Sequence, residues 1–305
     1  MLNQETENHS VSDKKYLVPF ILITSLFFLW GFARAILDVL NKHFQNALHI
    51  SITQSAMIQV TTYLGYFLMA IPAGIFINKY GYRRGVVFGL LLFGLGAIFF
   101  IPGASIGSFS AFLFCLFVIG CGLVFLETAA NPYVTELGAK ETATSRLNLS
   151  QSFNGLGSIF ATFCIGQFLF NDTQQGGNVV IPYAILGVLV LAIAVVFSRV
   201  DLPEIQHQQT TEDKAKGSNI TKLFANHRMF VFGLFALLSY EVAEISINSY
   251  FINFVTGMHW MSDRTASLVL TLALAFFMVG RFLGSWIMRH IQATTCLLYT
   301  SDAAD

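Results

Sequence analysis

The sequence predicts an all-α integral membrane protein, and three observations carry that prediction. Hydrophobic residues make up 55% of the 305 residues and charged residues 11%, where a soluble domain carries about a quarter charged residues. No Asp, Glu, Lys or Arg lies between Lys15 and Arg34, Lys42 and Lys79, Arg84 and Glu127, Arg146 and Asp172, or Asp172 and Arg199. Each stretch supplies one or two of the roughly 20-residue runs that cross a bilayer core. None shows the polar face that a soluble core helix needs.

Eight spanning helices follow in order. The first, near 17–45, comes after a polar start over 1–16 and is too long for the apolar region of a cleavable signal peptide. The second, near 52–79, runs to Asn78-Lys79, and the third, near 84–103, runs to the turn signal Pro102-Gly103. A fourth lies near 107–137. The fifth, near 144–171, is closed by Asn171-Asp172 through Gly176-Gly177, and the sixth, near 180–199, by Pro203. After a polar stretch come the seventh and eighth, near 227–256 and 263–290.

Basic residues set the orientation. Of the 17 Lys and Arg, Arg34 and Arg281 fall within spans, and Lys42 and Arg264 lie on one side of the membrane. All the others, including Lys14, Lys79, Arg83, Arg84, Lys140, Arg146, Arg199 and Lys222, lie on the opposite side. The rule places the N-terminus and that side in the cytoplasm, in the inner membrane of a bacterium.

The longest polar stretch, 201–226, is rich in Gln, Thr, Lys and Glu and reads as a cytoplasmic linker. It divides a six-helix bundle over 17–200 from two further helices over 227–291. A repeat supports the division. Gly74-Ile-Phe-Ile77-Asn78-Lys79-Tyr80 ends the second span and Gly284-Ser-Trp-Ile287-Met288-Arg289-His290 the eighth, at the places where two parallel halves correspond.

Several classes are disfavoured. Net charge is zero, which leaves no basic footprint for nucleic acid. Cys115, Cys121 and Cys164 sit in apolar segments without metal-ligand spacing, so no metal or cofactor is expected. HExxH, Gly-rich phosphate loops and similar catalytic motifs are missing, which argues against an enzyme.

Three motifs and a loop resemble a known family. Gly74-x-x-x-Asn78-Lys79-x-Gly81-x-Arg83-Arg84 resembles the loop between helices two and three of the major facilitator superfamily. There the Gly allows close helix approach, and the bases meet headgroups, acids and helix C-termini. Phe28-Leu-Trp30-Gly31, Leu126-Glu127-Thr-Ala-Ala-Asn131-Pro132 and Arg146-Leu-Asn148-Leu-Ser-Gln151-Ser-Phe-Asn154 together resemble the L-fucose/proton symporter (fucose–galactose–hexose) branch. The resemblance runs from about residue 20 to about 291. It implies a major facilitator fold, truncated to about eight of twelve helices, and import of a neutral monosaccharide by proton symport. It also implies that Asp38 and Glu127 serve substrate binding and proton coupling. The chain departs from the family at Arg34 and Leu37, where Asn or another neutral residue is often found. Ala243-Glu244-Ile-Ser-Ile-Asn248-Ser resembles the glucose/galactose members and favours Glu244 as the cavity-facing acid.

Physical reasoning reaches the same residues. An ionised group at mid-membrane costs about 2.5–3.5 kcal/mol on insertion scales, so such groups face a cavity or a partner. The spans carry Arg34, Asp38, Glu127, Glu241, Glu244 and Arg281. Glu127 has Asn131 one turn later and no base nearby in sequence, and desolvation favours its neutral form. It can therefore carry a proton, or else act as a structural carboxyl. Arg34, Asp38, Asn41 and Gln45 form a polar stripe on which Arg34 can hold Asp38 ionised for a sugar hydroxyl. Gln151, Asn154, Ser158 and Thr162 share a face that suits either a sugar or helix–helix bonding. Trp30, Tyr63, Tyr66, Tyr240 and Tyr250 are candidate stacking rings. The offset of 210 between the two halves sets Glu244 opposite Arg34, so these two are expected to pair.

The expected substrate-binding set is thus Asp38, Asn131, Gln151, Asn154, Glu244 and Asn248. Beyond it the expected partners are a sugar, the bilayer and a coupling proton (sodium being the alternative ion), in a monomer. Another solute on the same scaffold, or a non-transporting sensor or partner subunit, are the alternatives. Cys296 to Asp305 resembles a translated sequencing adapter, so 296–305 is expected to be foreign to the protein and the chain to be incomplete.

Overall fold

The computed structural model describes residues 14–48, 50–106, 108–138, 142–169, 180–200, 227–288, 291 and 295. Within these, side chains are not described at 14–16, 38–48, 52, 104–105, 165–169 and 180. The helices in chain order are α1 (Lys14–Leu48), α2 (Ile52–Tyr80), α3 (Tyr82–Ile98), α4 (Phe100–Ile106), α5 (Phe109–Glu136), α6 (Ala143–Leu169), α7 (Val180–Arg199), α8 (Arg228–Gly257) and α9 (Asp263–Ile287). Among the described residues there is no strand.

The third expected span is two helices rather than one. Pro102 cannot donate to the carbonyl of Ile98, and its ring crowds that carbonyl. The helix therefore breaks at Phe99 and resumes as α4, while Tyr82–Gly103 together remains long enough to cross a membrane. Among the described residues, seven segments meet that criterion. α6 is not one of them, although it is 27 residues long. Arg146, Asn148, Gln151 and Asn154 crowd its first half, and its neighbours on both sides are other helices.

Helix ends follow local chemistry. Ser51 caps α2, its Oγ accepting from Gln54 N while Gln54 Oε1 accepts from Ser51 N at 2.9 Å, a reciprocal capping box. Ser262 Oγ accepts from Thr265 N at the start of α9. Between α2 and α3 the chain turns through Gly81 at φ 88°, a conformation that side chains avoid.

The core lies among α1, α3, α5, α6 and α7. Ile23, Phe27, Leu90, Phe93, Leu116 and Tyr133 are essentially fully buried there. α1 runs against α6, α5 packs on both α2 and α3, and α7 covers α3. α8 and α9 pack on each other, and they meet the rest through α1 and α6 respectively. Large apolar side chains such as Phe67, Ile71, Ile75, Phe232 and Phe276 point outward, as they do where hydrocarbon is the solvent.

Two close seams position the site. α1 and α6 run parallel with backbones in contact: a Cβ on Gly31 would collide with the Asn154 carbonyl, and one on Gly157 with that of Phe28. Thr24 Oγ1 and Ser150 Oγ lie 3.2 Å apart across the same seam. α6 and α9 run antiparallel and are bonded along their length. Ser145 and Ser285 exchange hydroxyl-to-carbonyl bonds of 3.1 and 3.0 Å, Asn148 Nδ2 donates to Arg281 O at 2.8 Å, and Ser267 Oγ reaches Thr162 O at 3.4 Å.

Candidate functional site

A cavity of about 310 Å³ opens where α1, α2 and α5 face α8. It lies at the lower end of the size range for small-molecule sites. Its walls are Trp30, Arg34 and Leu37 from α1, Thr62, Tyr63 and Tyr66 from α2, Leu123 and Glu127 from α5, and Leu237, Glu241 and Ile245 from α8. The i, i+3, i+4 spacing on each helix explains the set. Trp30, Arg34 and Leu37 form one stripe, and Leu237, Glu241 and Ile245 another.

Polar groups meet the cavity in two ways. Trp30 Nε1 donates to Tyr66 Oη at 2.9 Å, and the Tyr63 and Tyr66 rings lie 5.8 Å apart, which fixes an aromatic wall with a polar edge. On the other side Arg34 Nη2 lies 3.4 Å from Glu241 Oε2 and 3.6 Å from Glu244 Oε1. Glu127 is partly buried and makes no hydrogen bond to any described residue. One helical turn on, Pro132 deprives the Thr128 carbonyl of its intrahelical donor, leaving backbone polarity next to Glu127.

Several expected residues stand where the sequence put them. Glu127 reaches the cavity, and Arg34 meets Glu244 as the 210-residue offset requires. Glu241 pairs with Arg34 more closely still, and it is Glu241 rather than Glu244 that lines the wall. The two acids are three positions apart, so a small rotation of α8 decides between them, and sequence carries no record of that rotation.

Some of the polar groups of α5 and α6 bond to one another or to backbone. Gln151 Nε2 donates to Asn131 Oδ1 at 3.2 Å, so these two bind α5 to α6. Ser158 Oγ donates to the Gly31 and Asn154 carbonyls, and Thr162 Oγ1 to the Ser158 carbonyl. Of this stripe, Asn154 keeps a buried Nδ2 with no hydrogen-bond partner among the described residues. Asn248 is partly buried on α8 and is not on the cavity wall, and neither are Tyr240 and Tyr250. The side chains of Asp38, Asn41 and Gln45 lie outside the described residues, as do Lys140, Arg289 and 296–305.

The loop motif is a set of helix-end contacts. Arg83 donates through Nε to the Phe197 carbonyl at 3.3 Å and through Nη2 to that of Ser198, capping the C-terminus of α7. Arg146 does the same for α5, reaching the carbonyls of Val134 and Thr135 at 3.3 and 2.8 Å. That role of Arg146 was not foreseen, although a base three residues into a helix after a polar loop is its visible signal. Lys79 lies 5.2 Å from the Tyr80 ring, while Asn78 and Arg84 are exposed. Gly74 departs from expectation: nothing lies within 4 Å of where its Cβ would be, so it mediates no close helix approach among the described residues.

Comparison with known proteins bears on what such a cavity belongs to. The family model described as the Major Facilitator Superfamily matches residues 23–301. A glucose/galactose transporter of Brucella abortus is 33% identical over 311 residues, covering 99% of this chain and 74% of the relative. The L-fucose-proton symporter of Escherichia coli K12 is 34% identical over 314 residues, covering 93% and 72%. A crystal structure of the E. coli fucose:proton symporter FucP superposes with a TM-score of 0.73 at 33% identity, covering 91% of this chain and 72% of that one.

Proposed function

The chain belongs to the Major Facilitator Superfamily, and from that premise we propose that it imports a neutral monosaccharide of the glucose, galactose or fucose type together with a proton. One observation carries the reading. Glu127, a carboxyl without a hydrogen-bond partner among the described residues, shares a cavity with the aromatic wall of Trp30, Tyr63 and Tyr66. A sugar presents apolar C–H faces to rings and hydroxyls to polar edges, and the Trp30–Tyr66 pair offers both. An acid inside an apolar helix can take up a proton with the sugar and release it after the cavity turns to the other side. The relatives named as glucose/galactose transporters and fucose-proton symporters support the substrate class, and the name of the latter supports the ion.

In this reading α1–α7 form one bundle, and α8 with α9 belong to a second that rocks against it about the cavity. The basic ends bearing Lys79, Arg83 and Arg146 face the cytoplasm of a bacterial cell. Asp38 shares substrate binding and proton coupling with Glu127, while Asn154, Glu244 and Asn248 contribute to substrate binding. Asn131 and Gln151 contribute by holding α5 to α6 beside the cavity.

The test is reconstitution of the complete gene product into liposomes with external pH recorded. Adding D-glucose, D-galactose or L-fucose outside is expected to alkalinise the medium as protons enter with the sugar. Uptake that needs sodium and leaves pH unchanged reassigns the ion. No response to any of the three sugars reassigns the substrate to another solute.

A further inference from the structure

Glu241 and Glu244 share the Arg34 guanidinium but are not equivalent. Glu241 lines the cavity and keeps 40% of its side-chain surface exposed, whereas Glu244 keeps 21% and is off the wall. Arg34 holds Oε2 of Glu241 at 3.4 Å, and Oε1 makes no hydrogen bond to any described residue. The carboxylate therefore has a counter-ion that gives it a direction, and a second oxygen without a hydrogen bond to any described residue, on a residue that lines the cavity. An oriented carboxylate with a free oxygen accepts strongly from a hydroxyl. Arg34 and the nearby Arg281 are matched by Glu241 and Glu244, and Glu127 adds a third carboxyl, so the neighbourhood carries no excess of positive charge. Such a balance is unfavourable to an anionic ligand and suits an uncharged polyol.

Resting on the sugar-transport reading above, we propose that Glu241 is a substrate-binding residue whose Oε1 accepts a hydrogen bond from one sugar hydroxyl, and that it sets which hydroxyl the site demands. Arg34 is the positioning residue that aims it. Because Arg34 stands on α1 and Glu241 on α8, the hydroxyl is held at the contact between the two groups of helices. A sugar lacking that hydroxyl leaves a desolvated carboxylate oxygen unpaired, which is how a site built for a hydroxyl rejects the deoxy analogue.

The experiment is titration calorimetry of the purified complete gene product with D-glucose, D-galactose and L-fucose, then with the monodeoxy derivatives of whichever sugar binds. In the wild type one deoxy position is expected to weaken binding by about tenfold or more, the effect of one charge-assisted hydrogen bond. In Glu241→Gln the parent sugar is expected to bind about tenfold more weakly, with the penalty at that one position flattened. Glu241→Asp, which keeps the charge on a shorter arm, is expected to bind more weakly with the penalty at that one position reduced and those at the other positions unchanged, as a misfolded protein could not. A Glu241→Gln protein that ranks the deoxy series as the wild type does overturns the proposal while leaving sugar transport intact. If that variant binds too weakly to rank, Glu241→Asp decides: a penalty reduced at one position alone supports the assignment, and a uniform loss at every position overturns it. A wild type that binds none of the three sugars overturns the sugar-transport reading, and this assignment with it.

Discussion

Glu127 and Glu241 reach the same cavity from different helices, and their surroundings differ. Glu241 has a guanidinium at 3.4 Å, whereas Glu127 has no hydrogen bond among the described residues. In the proposed symport, Glu127 is therefore the acid assigned the proton. Glu127→Gln, which keeps the shape and stays neutral, is therefore expected to abolish sugar accumulation driven by a pH gradient. It should leave sugar-for-sugar exchange, in which no net proton moves, within a fewfold of wild type, as counterflow in liposomes would show. Loss of exchange as well would make Glu127 a binding group instead. Trp30 and Tyr66 act through one hydrogen bond of 2.9 Å. Tyr66→Phe removes it, at about 0.5–1.5 kcal/mol, so a several-fold weaker affinity is expected in calorimetry with little change in expression. These residues were legible in the sequence to different degrees. Glu127 stands out because a charge in a long apolar run has few structural reasons to be there. Glu241 does not, because choosing between two acids one turn apart requires the rotation of α8.

At the scale of the element, the α1–α6 seam depends on missing side chains. A methyl group on Gly31 meets the Asn154 backbone rather than a movable side chain. Gly31→Ala must push the helices apart, and a cost of about 1–3 kcal/mol is expected, read as a lower midpoint of thermal unfolding in detergent. Gly74→Ala makes the natural control: with nothing within 4 Å of the added methyl, no loss is expected. A destabilised Gly74→Ala would mean that this face of α2 has a partner beyond the described residues. Arg83→Ala should also lower the midpoint, through a loss of about 0.3–2 kcal/mol, since it uncaps the negative end of α7. Sequence patterning located these helices well, because charge-free length and flanking bases are written along the chain. It could not foresee the break at Phe99, which depends on Pro102 four residues after Ile98, or the Asn131–Gln151 bond. Amide partners on separate helices leave no mark in spacing.

Over the whole molecule, the decisive question is which contacts must break for a cavity between helices to face each side in turn. α6 and α9 are bonded along their full length, from the Ser145–Ser285 pair at the basic end to Ser267 and Thr162 at the other. Rocking about a central cavity cannot keep both ends closed. Weak hydroxyl-to-carbonyl bonds suit a seam that must open repeatedly, whereas interlocked apolar packing would resist it. At Ser145 and Ser285 each hydroxyl reaches the other's backbone carbonyl, and the two oxygens are 3.3 Å apart. The backbones are therefore close enough for cysteines at both positions to form a disulfide, which needs Cα atoms about 4.4–6.8 Å apart. In the Ser145→Cys/Ser285→Cys double variant, oxidation is expected to stop net uptake by at least tenfold and reduction to restore it. Sugar binding in detergent should survive in the oxidised protein, because the cavity lies on the α1, α2, α5 and α8 side of the seam. Each single variant should transport as the wild type does. If the oxidised double variant still transports, the basic ends of α6 and α9 move as one body. The opening motion would then have to lie between α1 and α8, where Arg34 meets Glu241 and Glu244.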